Sequence, residues 1–218
     1  PNMLTSVTEQ YMTALGKARW AEKTPDHILT LGKIREHFPQ SPVIRILRDP
    51  RGVAISLTKV PWGAMSFLEA LLLWKRLDDE SEGFFRSDPW GYSLRYEDLI
   101  TSPEAELGRL CEFIGEAFED GMLDTSETGK RLNARHVPWK EKVSQPVDAS
   151  NLAVWKKQLA RPDIQLAEAI LGGRLEALGY PREAEFAHLA EIYPSLSQVT
   201  KYAEEFRCLA SSGIRFWK

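Results

Sequence analysis

The sequence predicts an α/β fold in which parallel strands are flanked by helices. Two kinds of signal carry this expectation. Two short runs, PVIRIL and GYSLRY, are β-branched or alternating and each leads directly into a helical pattern. Three dipeptides, Thr24-Pro25, Asp49-Pro50 and Ser102-Pro103, set a capping side chain before a proline at the first helical position. The resulting order of helix, strand, helix, helix, strand, helix is the alternation that builds an α/β sheet.

Taken in chain order, TPDHILTLGKIREHF sets Ile28, Leu31 and Ile34 at spacings of three and predicts one helix that ends at Pro39. PVIRIL is a strand that feeds Arg48-Asp49-Pro50 and the helix RGVAISLTK, which Pro61 and Gly63 interrupt. A helix of about five turns follows from Met65 to Phe85. GYSLRY is the second strand. The helix after Ser102 is expected to bury Leu107, Leu110, Phe113 and Ile114 and to stop near Gly115. From Asp124 to Ser150 polar, basic and proline residues dominate and predict a long loop, a length that in compact domains often marks function. Helices resume at NLAVWKKQLA and PDIQLAEAILGGRLEALGY, and two amphipathic stretches follow Pro181, as a packed extension or a partner-binding arm.

Composition bounds the function. With 218 residues, 43% of them hydrophobic and 27% charged, the chain can bury one sizeable core, and disorder is excluded. A net charge of -3 argues against a general polyanion binder, so anion recognition has to come from a local basic cluster. Cys111 and Cys208 are too few for a disulfide framework or a structural zinc site, and suit a reducing compartment. The first twenty residues lack a charged-then-apolar leader, and the apolar run ALLLW is far too short to span a bilayer. The expectation is a cytoplasmic protein without a metal, a nucleic-acid partner or a membrane span.

The strand-to-helix stretch ILRDPRGVAISL is the most informative chemically. If Asp49 caps the helix and Pro50 begins it, first-turn amides lie at the carboxyl end of the preceding strand, where open α/β sheets bind ligands and where anions are favoured. Arg48 ends the strand, and Gly52 and Ser56, four apart, share one helix face. A guanidinium, helix amides and a hydroxyl suit a phosphate. Spacing alone leaves equally open that Arg48 merely pairs with Asp49 while Ser56 packs.

Upstream, Glu22 and Lys23 stand immediately before the Thr24-Pro25 helix start. Glu22-Lys23-Thr24-Pro25, VIRILRDPRGVAISL and LRYEDLITSPEAELGRLCEFIG, in this order and spacing, resemble the sulfotransferases that use 3′-phosphoadenosine 5′-phosphosulfate (PAPS), above all the bacterial and Golgi-type groups. The resemblance runs from about Arg19 to Tyr180. It implies a P-loop-type three-layer fold, with a parallel sheet flanked by helices, over residues 1–180, and a helical C-terminal extension over 181–218. It implies that Arg48 and Ser56 grip the 3′-phosphate, that Glu22 is the general base on an acceptor hydroxyl, and that Lys23 lies within reach of developing charge. Tyr96 takes the place of a tyrosine near the adenine, and Arg135, with His136, that of a mobile basic loop. His27 is a competing base on the helix that follows Glu22. The implied reaction is sulfuryl transfer from PAPS to a hydroxyl of a carbohydrate or small metabolite.

One departure from the family is large. Its members begin with a strand and a phosphate loop of the type P-[KR]-S-G-T-[ST], and no glycine of this sequence stands in that setting. Only two convincing strands are present as well, where sheets average five or six. The expectation is a sulfotransferase part whose first strand and phosphate loop are missing through truncation or cleavage. A smaller departure is Gly52, where relatives often carry an acidic residue. A catalytically silent 3′-phosphonucleotide-binding module is the alternative. A small-molecule kinase is disfavoured, since no Walker lysine or magnesium-binding set is present. Trp62, Trp74, Trp90, Trp139 and Trp155 are candidates for an acceptor pocket among which the sequence makes no choice.

Overall fold

The computed structural model of the protein describes residues 3–124, 149 and 152–183. The chain divides into two compact units, Pro1–Pro39 and Gln40–Lys218.

In the first unit, helix α1 (Met3–Leu15) was not foreseen. It ends at Gly16, whose φ of +61° suits the left-handed residue that closes a helix. The Gly16 and Lys17 amides reach back to the Thr13 and Met12 carbonyls. Val7, Tyr11 and Leu15, at spacings of four, are all exposed. The single helix expected over 24–38 is instead a 3-10 turn, Pro25–Leu29, and a separate helix α2, Leu31–His37. The break is Thr30, whose φ of -132° is not helical, and whose amide and hydroxyl both donate to the His27 carbonyl. A threonine that satisfies this carbonyl locally competes with helix propagation. Trp20 meets Phe38 edge to face with ring centroids 6.0 Å apart, and Arg35 donates to the Phe38 and Pro39 carbonyls, closing the unit's end.

The second unit contains the expected parallel pair, β1 (Val43–Leu47) and β2 (Gly91–Arg95), in the register Ile44↔Tyr92 and Ile46↔Leu94. Between them run α3 (Pro50–Leu57) and α4 (Phe67–Ser87). Ser66 caps α4 by accepting from the Glu69 amide at 3.1 Å, while Glu69 accepts from the Met65 amide at 2.7 Å. Beyond β2 follow α5 (Tyr96–Thr101), α6 (Pro103–Ile114), a 3-10 turn at Asp120–Leu123, α7 (Val154–Gln158) and α8 (Arg161–Ala177). Helix α6 stops at Gly115, with φ +73°, as expected. Its four expected core residues are only half-buried, however, and Cys111 is the residue it buries. Helix α8 kinks at Gly172.

The core joins α3, α4 and α8 through Ala54, Ala70, Leu71, Ala167, Leu171, Leu175 and Tyr180. Alanine at three of these positions lets the helices approach closely, so leucines from neighbouring turns fill the space. On the side of the sheet facing α4, Arg45 is buried and donates to Ser81, Ser93 and Glu82. It also pairs with Asp78, and Arg174 from α8 bonds to both Asp78 and Glu82, so two guanidinium groups balance two carboxylates. Such a cluster tolerates burial because every charge has a partner. Burial would raise the pKa of Glu82, but hydrogen bonds from Arg174 and Arg45 outweigh it and hold the carboxyl below its usual range. On the opposite sheet face, the Tyr92 ring lies 4.9 Å from Phe113 of α6, whereas Ile44 and Ile46 of β1 are 42% and 59% exposed.

Candidate anion site at the β1–α3 junction

The junction is built outward from Asp49. Its carboxylate accepts from the Arg51 amide at 3.0 Å, capping α3, and is gripped by the Arg51 side chain through Nε at 3.0 Å and Nη2 at 2.8 Å. Arg51 is fully buried. It also donates to Glu168 Oε1 at 2.7 Å and to the Pro181 carbonyl at 3.0 Å, and its guanidinium lies 3.7 Å from the centre of the Trp155 ring. Glu168, equally buried, accepts from the Glu183 amide as well. The second arginine of the Arg-Asp-Pro-Arg stretch therefore ties α3 to α7, α8 and the segment after Tyr180.

The pairing of Arg48 with Asp49 that spacing left open is not the one adopted. Asp49 pairs with Arg51, and Arg48 turns the other way, placing its guanidinium 4.7 Å from the centre of the Tyr96 ring. A Cβ built on Gly52 would lie 3.8 Å from Arg48 Nε and 3.8 Å from Trp155 Cδ1, so the glycine at the helix start forms the floor under the guanidinium. Arg48 and Tyr96, both singled out in the sequence, are thereby brought together from the ends of adjacent parallel strands. Ser56 is exposed on α3, one turn beyond Gly52 on the same face.

The first turn of α3 is only partly open: among the described residues its Gly52 amide has no hydrogen bond, whereas its neighbours are engaged. Pro50 has no N–H, the Arg51 amide is taken by Asp49, the Asp49 amide is taken by Glu97 Oε1 at 2.9 Å, and the Val53 amide bonds to the Asp49 carbonyl.

Glu22 and Lys23 belong to the first unit, and both are exposed. The Thr24 hydroxyl donates to Glu22 Oε1 instead of capping the turn that follows, and His27 Nδ1 lies 2.8 Å from Glu22 Oε2. The competing base is thus a partner of Glu22. Arg135, His136 and Trp139 lie outside the described residues. Of the candidate pocket tryptophans, Trp155 is buried beneath Arg51. Sequence reasoning missed Arg51, Glu168 and Tyr180, and assigned no role to Glu97. The legible signal was the repeated arginine around Asp49-Pro50, since a buried aspartate requires a cation.

A family model described as the sulfotransferase family matches residues 2–120, more than half of the chain. The chain belongs to the sulfotransferase family. Its matched span contains Glu22, Lys23, Arg48, Ser56 and Tyr96, whereas Arg135 lies beyond it. Among curated relatives it is similar to "Carbohydrate sulfotransferase 1" of Danio rerio, 26% identical over an alignment of 165 positions that covers 63% of this chain and 38% of that protein. It is also similar to "Nodulation protein NoeE" of Sinorhizobium fredii, 24% identical over 217 residues, covering 88% of this chain and 52% of that protein. The sulfotransferase-family chain thus spans between about a third and a half of the length of these relatives. A solved sulfotransferase domain from the curacin biosynthetic pathway shares the fold, with a TM-score of 0.65, 20% identity, and coverage of 82% of this chain and 68% of that one.

Proposed function

We infer that the chain forms part of a PAPS-dependent sulfotransferase acting on a hydroxyl of a carbohydrate or small metabolite. The observation that carries this is the division of labour between two arginines. Arg51 neutralises Asp49, so the adjacent carboxylate is already satisfied where Arg48 stacks on Tyr96 beside Gly52. A guanidinium held on an aromatic ring at the carboxyl end of a parallel strand is suited to bidentate recognition of a phosphate.

In this reading Arg48 and Ser56 hold the 3′-phosphate of PAPS, Tyr96 lies at the adenine, and Arg135 belongs to a basic loop over the donor. Glu22 takes the acceptor's hydroxyl proton as the oxygen bonds to sulfur. The bond from sulfur to the 5′-phosphate breaks, and its electron pair leaves with the nucleotide. Lys23 offsets the developing charge. Hydrogen bonds from Thr24 and contact with His27 orient the Glu22 carboxylate. Positioning and electrostatics supply the rest, as in phosphoryl transfer, and the scheme calls on no metal.

The domain organisation proposed is a sulfotransferase-like α/β part over 1–180 with a helical extension over 181–218, in the cytoplasm. The loop that would hold the 5′-phosphosulfate has no counterpart in the sequence. Ile44 and Ile46 are exposed on one face of β1, and because a parallel strand is ordinarily covered on both faces, a covering element over that face is part of the reading.

The test, on full-length protein that includes the phosphate loop, is transfer of labelled sulfate from PAPS to a library of hydroxyl acceptors. Transfer is expected, and Glu22→Gln should lower it by about 10²- to 10⁴-fold while nucleotide binding is kept. Binding of adenosine 3′,5′-bisphosphate without transfer to any acceptor would instead identify a silent nucleotide-binding module.

A further inference from the structure

Glu97, next to Tyr96 at the start of α5, joins three parts of the second unit. Its Oε1 accepts from the Asp49 backbone amide at 2.9 Å, and its Oε2 accepts from the Tyr180 hydroxyl at 2.8 Å. The Asp49 amide belongs to the N-cap residue of α3. In a capping box this amide is satisfied by a Glu or Gln at the third helical position of the same helix. Here that position is Gly52, and a side chain there would start 3.8 Å from Arg48 Nε and from Trp155 Cδ1. Glycine at that position has no side chain to return the bond. The reciprocal bond comes instead from Glu97, 48 residues further along.

The location matters because the Asp49 amide and the Arg48 carbonyl share one rigid peptide plane. With Leu47 held in the sheet opposite Arg95, fixing that plane restricts the backbone of Arg48 on both sides and so the exit direction of its side chain, while Tyr96, the neighbour of Glu97, supports the guanidinium at the other end. Tyr180 completes the arrangement from the end of α8. It is 3% exposed, its ring lies 4.7 Å from the Arg95 guanidinium, and Gly179 before it, with φ +74°, brings the chain close to Arg95 Nη1. Burial, followed by the negative charge and hydrogen bond of Glu97, pushes the Tyr180 phenol up, against the opposing effect of Arg95, so it remains a donor at neutral pH.

We propose that Glu97 is a positioning residue for the 3′-phosphate site: by bridging the Asp49 amide and the Tyr180 hydroxyl it sets the orientation of Arg48 and hence the preference for nucleotides that carry a 3′-phosphate. This rests on the nucleotide reading above. The readout is the ratio of affinities for adenosine 3′,5′-bisphosphate and adenosine 5′-monophosphate, measured by titration calorimetry on the protein and its variants. The unaltered protein should prefer the bisphosphate, and Arg48→Ala should abolish the preference. Glu97→Ala should reduce the preference about tenfold with the monophosphate affinity unchanged, and Tyr180→Phe should reduce it by a smaller factor. Should Glu97→Ala fail to fold, Glu97→Leu, which keeps much of the volume and removes both acceptor oxygens, is held to the same outcome. A preference that survives in these variants but is lost in Arg48→Ala, or an equal weakening of both ligands, overturns the positioning role and leaves the nucleotide reading standing. An unaltered protein without any preference overturns both.

Discussion

The β1–α3 junction and the Glu22 segment carry the two chemical roles assigned to this chain, and they are built in opposite ways. At the junction, Arg48 is flanked by buried groups. Asp49, Arg51 and Glu168 form a closed charge network, Trp155 packs on it, and Glu97 fixes the backbone. Glu22 is held by the Thr24 hydroxyl and by His27, which is itself about half exposed. If the proposed roles hold, the difference teaches that an anion site can be preorganised by charges that never touch the ligand, whereas a carboxylate that exchanges a proton with an acceptor is kept near water. Buried networks carry stability; the exposed trio carries orientation.

The comparison can be broken most forcefully at Arg51. Arg51→Ala leaves Asp49 and Glu168 buried without their cation and should cost about 3–5 kcal/mol in denaturant unfolding. A loss under 1 kcal/mol would remove the junction's network as its organising feature. An intermediate effect is expected from acid. Because the Glu82 carboxyl is held below its ordinary value of 4.5 in the folded protein, its contribution to stability is complete above that value. The contribution is lost as pH falls through the folded value, so Glu82→Gln should flatten the acid limb of a stability profile below pH 4.5 and leave the neutral side's slope unchanged. The smallest effect on stability belongs to Glu22→Gln, within about 0.5 kcal/mol, because the site is exposed. A destabilisation matching that of Arg51→Ala would erase the contrast between the two regions.

The elements read best from sequence were those with a local cause. Asp49-Pro50 started α3, and Gly115 ended α6 through a positive φ. The pair of parallel strands followed from β-branched or alternating runs that fed helices. What was missed had non-local causes. Thr24 was read as a cap because Thr-Pro ordinarily begins a helix, yet its hydroxyl is drawn to Glu22 two residues away. Periodicity across 24–38 did not register the competition at Thr30. Arg48 was the one arginine weighed as a partner of Asp49, whereas Arg51 takes that place. The choice between them is made by Glu168, which stands 117 residues beyond Arg51 and is invisible to any spacing rule. Tyr96 was picked out by the family pattern, while its neighbour Glu97 gains a role only once α3 and Tyr180 are in place.

The most direct measurement is the melting temperature of the protein and of Arg48→Ala with adenosine 3′,5′-bisphosphate at about a hundredfold excess over its dissociation constant, where a ligand specific to the folded state adds about 2.7 kcal/mol. Stabilisation of the unaltered protein that disappears in Arg48→Ala is the result predicted. No stabilisation of the unaltered protein, or equal stabilisation of both, would contradict Arg48 as the grip on the 3′-phosphate.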